Sequence, residues 1–131
     1  MKVAVAVIFD TNNLVLITRR PSHAPHGGLW EFPGGKLEAE EPPVSALIRE
    51  IKEEVDLEIL EYRFLGEVIH NYGSKEVNLL IFRVDHYLGN PRCCESQMDL
   101  QWVSIENLAD YEFPEANFKI IELIKASVAI A

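Results

Sequence analysis

An α+β fold is the class this chain predicts, and three observations carry the prediction. Strand-like apolar runs and helix-like segments follow one another without a regularly recurring βαβ unit. No linker-like or low-complexity stretch interrupts them. The 131 residues, 48% of them hydrophobic, suffice to bury one core without disulfide or metal staples, so residues 1–131 are expected to form a single domain.

The elements can be justified in chain order. Val3 to Phe9 and Leu14 to Thr18 are short apolar runs around the turn-forming Asp10-Thr11-Asn12-Asn13, and they are expected to pair as a hairpin. Pro21 to Gly28 holds two prolines, two histidines and two glycines, the composition of an ordered but mobile loop beside a site. Pro42 and Pro43 fit the first turn of a helix, where a missing backbone N–H costs nothing. Val44, Leu47, Ile48, Ile51 and Val55 then recur at i, i+3, i+4 and i+7, which commits one helical stripe to the core. Tyr62 to Tyr72 and Val77 to Tyr87 read as longer strands around a turn at Gly73-Ser74, and Trp102 as the end of a short strand. A last helix is expected from about Pro114 to Ala129, with Phe118, Ile121, Leu123 and Ile124 inward.

Charge and cysteine content exclude several function classes. A net charge of -9 disfavours nucleic-acid polymers and anionic membranes, both of which call for a basic patch. Cys93 and Cys94 are adjacent and unaccompanied, so neither a disulfide framework nor a zinc site is indicated. The apolar start is seven residues long and is followed by Asp10, too short to span a membrane and without a cleavage pattern. A cytoplasmic protein with free thiols is the expectation.

Chemistry concentrates on the Val44–Val55 helix. Glu50, Glu53 and Glu54 are related as i, i+3 and i+4, which gathers their side chains on one face. Like charges so placed repel, and their pKa values should rise until a divalent cation relieves them. Oxygen-only ligands suit Mg²⁺, with Mn²⁺ a possible substitute. On spacing alone, a solvated acidic face is the commoner reading. His23, His26, His70 and His86 lack metal-ligand spacing and are read as surface or packing residues outside the site.

The longer pattern is far more specific. Gly35, Glu41, Arg49, Glu50, Ile51, Glu53 and Glu54 satisfy G-x5-E-x7-R-E-U-x-E-E, with U a bulky aliphatic. At about 5–8% usage per residue type, the six fixed letters coincide by chance roughly once in ten million start positions. Residues 35–57 resemble the Nudix box. One departure stands out: the family continues with Gly where this chain has Asp56. That residue ends the helix, in a left-handed conformation that Gly adopts freely and Asp at a modest cost. The rest of the chain resembles MutT-type members of the family through Thr18-Arg19-Arg20, Trp30-Glu31-Phe32-Pro33-Gly34-Gly35-Lys36 and Phe113-Pro114-Glu115-Ala116-Asn117.

The resemblance implies an α/β/α sandwich on a mixed sheet and assigns roles. Glu50, Glu53, Glu54 and Glu95, with the carbonyl of Gly35, would hold Mg²⁺ on a triphosphate and acidify a water. Glu53, Glu50 or Glu95 would accept its proton. Lys36 and Arg20 are placed near the phosphates, Asn117 at a guanine base, and Glu41 with Arg49 in an ion pair that orients the loop and helix. Phe32 is a stacking candidate or a core aromatic, Lys75 a substrate contact or a turn lysine, and Asn117 alternatively a helix cap. The implied activity is hydrolysis of 8-oxo-dGTP or dGTP to the monophosphate and pyrophosphate, in nucleotide-pool sanitation. Alternatives are a Nudix hydrolase of CTP, modified pyrimidine triphosphates or nucleoside diphosphate sugars, and a non-catalytic nucleotide sensor. A nucleoside triphosphate is the expected partner, and the chain is expected to be a monomer or weak dimer.

Overall fold

The computed structural model describes residues 1–129. Its main sheet has the order β4-β1-β6-β5, formed by Gly34–Lys36, Lys2–Ile8, Lys75–Leu88 and Glu58–Tyr72. A smaller sheet, β3-β2-β7, comprises Trp30–Glu31, Val15–Arg19 and Asp99–Val103. Helix α1, Pro43–Val55, and helix α2, Glu115–Ala129, complete the mixed architecture. The α+β class and the sandwich hold. Among the described residues no helix is long and apolar enough to cross a membrane.

Alternation along β1 explains why one strand serves two layers. Ala4, Ala6 and Ile8 join the cluster built on Leu47, Ile51 and Val55 of α1, whereas Val5 and Val7 join the one containing Ile120, Ile121 and Ile124 of α2. Successive side chains of a strand face opposite sides, and the two alanines leave room for α1 to approach.

The expected β1–β2 hairpin does not form. β1 runs parallel to β6, from Lys2 opposite Asn78 to Ile8 opposite Val84, and antiparallel to β4, with Ala4 opposite Gly35. Both of its edges are therefore taken. β2 pairs instead with β3 and β7, and the Phe9–Val15 bridge is what remains of the hairpin. The turn itself is present, closed by Asp10 Oδ1, which accepts from the N–H of Asn12 at 2.9 Å and of Leu14 at 2.8 Å.

Two inward assignments on the helices also change. The buried stripe of α1 is Ala46, Leu47, Ile51 and Val55, and Ile48 falls off its edge with 39% exposure. On α2 the buried positions are Ala116, Ile120, Ile121 and Ile124. Phe118 sits two residues from both Ala116 and Ile120, on the opposite side of the helix, and is 52% exposed. The long β5–β6 hairpin forms as expected, turning at Gly73 with a φ of 63°.

Candidate active site

Helix α1 carries the carboxylates, and its ends are defined by local chemistry. Pro43 occupies the first helical position after an extended Pro42, as the proline pair predicts. At the other end Asp56 adopts φ 60° and ψ 40°, and its N–H donates to the Lys52 carbonyl. The left-handed conformation expected at this position is present. Asp56 also accepts from Lys52 Nζ at 2.8 Å and from Arg92 Nε at 3.1 Å.

The second contact ties the helix to the loop that follows β6. The N–H groups of Arg92 and Cys94 donate to the carbonyls of Val55 and Glu54, at 3.1 and 3.0 Å. Gln97 spans the same junction, donating from Nε2 to the Glu54 carbonyl at 3.0 Å and accepting the Glu95 N–H at 2.8 Å. These bonds bring Glu95 to α1, where Glu50, Glu53 and Glu95 each offer an oxygen within 4.8 Å of the others. Oxygen-only donors, two of them on exposed residues, suit a hard cation that keeps water ligands and shares phosphate oxygens.

Glu54 points elsewhere. Its Oε2 accepts the Gly34 N–H at 2.7 Å. Burial pushes its carboxyl up to about 9, with the Glu31 charge adding to the effect. Glu50 is also raised, first by burial and only later by the charges of Glu53 and Glu95. The expected rise thus occurs at these two residues, with desolvation ahead of mutual repulsion as its cause.

Arg49 organises the loop before the helix. Its Nε and Nη2 form a two-pronged contact with Glu41, both at 2.9 Å, and Nη1 donates to Glu50 at 2.8 Å. Nη2 also donates to the Lys36 carbonyl at 3.2 Å. The Arg49 hydrogen bonds, followed by the Glu38 N–H, hold the Glu41 carboxyl down at about 2. Gly35 lies so close to Glu50 that a Cβ there would overlap the carboxyl group.

On the other side of β4 a cavity of about 160 Å³ is lined by Gly34, Phe32, Arg20, Glu31, His26 and Asn117, among others. Phe32 is buried and stacks on Phe113, with centroids 5.3 Å apart and planes 14° from parallel. Arg20 Nη1 donates to Glu31 at 2.8 Å, and Arg20 Nε to the Pro25 carbonyl at 2.7 Å. The Glu31 carboxyl is nevertheless raised, because burial outweighs that partner. Asn117 is the third residue of α2, past the capping position, so the helix-cap alternative is removed.

The structure therefore sorts the candidates into two groups. Glu50, Glu53 and Glu95 meet at the exposed cluster, whereas Arg20, Phe32 and Asn117 meet at the cavity. Lys36 is exposed on β4 and forms no ion pair among the described residues. Lys75 stands at the β5–β6 tip, across from Tyr72.

Contrary to the reading that no histidine enters the site, His26 lines the cavity and meets Tyr72, centroid to centroid, at 5.9 Å. Tyr72 lines it too and packs edge-on against His70 at 4.5 Å. The loop composition around His26 was a usable signal. Tyr72 carried none, since only the hairpin brings residue 72 beside residue 26.

Comparison with known proteins follows the same lines. A family model described as NUDIX domain matches residues 4–123. An 8-oxo-dGTP diphosphatase of Escherichia coli strain K12 is 32% identical, the match covering 95% of this chain and 96% of that one. A CTP pyrophosphohydrolase of the same organism is 30% identical, with 93% and 90% covered. A solved MutT structure, from work on the Aliivibrio salmonicida and Vibrio cholerae proteins, is 33% identical with a TM-score of 0.83, covering 97% of this chain and 99% of that one.

Proposed function

The chain belongs to the NUDIX domain family and is a MutT-like hydrolase of phosphoric anhydrides, and from that premise we propose that it cleaves 8-oxo-dGTP or dGTP to the monophosphate and pyrophosphate. The observation that carries this reading is the arrangement around β4. Gly35 abuts the Glu50 carboxyl, while its neighbour Gly34 lines the cavity that holds Asn117 and Phe32. A nucleotide laid across these glycines would present its phosphates to the carboxylates and its base to the cavity.

Each group has a task in this scheme. Glu50, Glu53 and Glu95 would hold Mg²⁺, or Mn²⁺ in its place, with the Gly35 carbonyl as a further donor, and Glu54, whose Oε2 is engaged by the Gly34 N–H, would join them only on turning away from β4. The bound ion would supply neutralising charge at the phosphates and acidify water. One carboxylate of the set Glu50, Glu53 and Glu95 takes the proton as water attacks phosphorus and the phosphoanhydride bond breaks. Lys36, with no competing ion pair among the described residues, is suited to the charge developing on the departing phosphate. Arg20, expected near the phosphates, lines the cavity with Glu31 instead and would contact the substrate there, and Lys75 at the β5–β6 tip would be a further contact. Asn117 offers a donor and an acceptor to the base edge, and a site built to pair that edge rejects bases that leave it unpaired. Phe32 supplies an apolar wall.

The test is pyrophosphate release from 8-oxo-dGTP, dGTP, CTP, dCTP and ADP-ribose with Mg²⁺, with Glu53→Gln as the control. Preference for the oxidised guanine nucleotide, abolished in the control, is the expected result. A second reading, hydrolysis of CTP, is favoured by the CTP pyrophosphohydrolase relative. Asn117→Ala separates the two: it should impair guanine substrates selectively under the first reading and act evenly under the second.

A further inference from the structure

β5 is the terminal strand of the main sheet, and among the described residues no strand pairs with its outer edge. Long open edges are templates for association unless they are blunted. This one carries three exposed apolar side chains. Leu60, Tyr62 and Phe64 are 53%, 48% and 55% exposed, although Tyr62 and Phe64 both pack edge-on against Phe82. The charges among them are of opposite sign, Glu61 before Tyr62 and Arg63 after it. Glu61 has only a 3.7 Å approach to His86, and Arg63 forms no ion pair among the described residues.

That pattern is its own complement when reversed. An antiparallel pairing of two β5 strands about a two-fold axis at Tyr62 sets Tyr62 against its copy. Glu61 then faces Arg63 of the second molecule twice over, and Leu60 faces Phe64 twice over. Isologous contacts of this kind close at two subunits, and directly opposed apolar and unlike-charged pairs are the stabilising units of an antiparallel ladder. Shifting the register by one residue would set Glu61 against Tyr62 and remove both ion pairs. The β5–β6 pairing is irregular at Ile59/Glu61, at Glu61/Arg63 and at Phe64/Gly66, so the contact is a short one that must follow the local twist around Tyr62, and the charge of -9 on each copy opposes it at long range.

We infer that the outer edge of β5 from Leu60 to Phe64 is the contact surface for a second copy of this chain, paired antiparallel about Tyr62. Sedimentation velocity over a concentration series tests it. The wild-type chain should form a dimer as concentration rises. Arg63→Glu puts a second carboxylate opposite Glu61 on both sides of the axis, and Glu61→Arg does the same with guanidinium groups; each should raise the dimer dissociation constant by about tenfold or more. The double variant Glu61→Arg with Arg63→Glu restores the complementarity and should recover the dimer.

Glu61 and Arg63 belong to neither the carboxylate cluster nor the cavity wall, so turnover per chain should be unchanged in every variant, which checks their folding. A monomer at all concentrations would overturn the proposal, as would a dimer indifferent to the reversals. A monomer that binds lipid vesicles through Tyr62 and Phe64 would assign the patch to a membrane surface and overturn it as well.

Discussion

At Gly35 the absence of a single carbon decides where a carboxylate can stand. A methyl group there would overlap the Glu50 carboxyl, so Gly35→Ala should keep the far-ultraviolet circular dichroism spectrum while turnover falls roughly 10²-fold, the scale expected of a small misplacement of a catalytic group. Glu54 permits a different prediction. Its pKa is raised from 4.5 to about 9, so between those values the folded chain retains a proton that the unfolded chain loses, and stability falls as pH rises through that window. Glu54→Gln keeps an acceptor for the Gly34 N–H and removes the ionisation. In metal-free protein it should be more stable than wild type by roughly 3 kcal/mol near pH 7, with the advantage vanishing near pH 4 in denaturant titrations. The ionic partners Glu41 and Arg49 were legible through the resemblance to the Nudix box. The orientation of Glu54 was not, because i+4 spacing places a Cβ but not the direction of a flexible side chain under a neighbouring strand.

Helix α1 was legible as an element because its apolar spacing, its proline start and its left-handed stop all act within a few residues of one another. The loop that brings Glu95 to it was legible only through the family motif, since its placement depends on bonds to Val55 and Glu54. Asp56 connects the two. Replacing it by Gly relieves left-handed strain worth about 1 kcal/mol and removes two exposed ion pairs of small value. Asp56→Gly should therefore leave the melting temperature nearly unchanged. Amide hydrogen exchange at Arg92 and Cys94 should nevertheless accelerate, because the Arg92 tether is lost. Unchanged exchange along the loop would show that Asp56 does not restrain it.

Across the whole molecule, the main sheet separates two apolar clusters, one with Leu47 and the other with Ile124. Leu47→Ala and Ile124→Ala should each cost about 3 kcal/mol. They share no packing partners within a cluster, so their combined loss in denaturant unfolding should equal the two separate losses. The number and type of most elements could be read from periodicity. Strand partnership could not: the short β1–β2 turn suggested a local hairpin, and the residues that occupy both edges of β1 lie far along the chain.

That partnership bears on how the chain is made. Lys2 pairs with Asn78, 76 residues later, so at about 5–20 residues per second a ribosome needs several seconds to deliver the partner of the first strand. During that interval Val3 to Phe9, an uncharged β-prone run, emerges without its parallel neighbour. Slow synthesis of the segment before β6 would prolong the exposure, and the yield of native protein would depend on translation speed over those codons as well as on the stability of the finished fold.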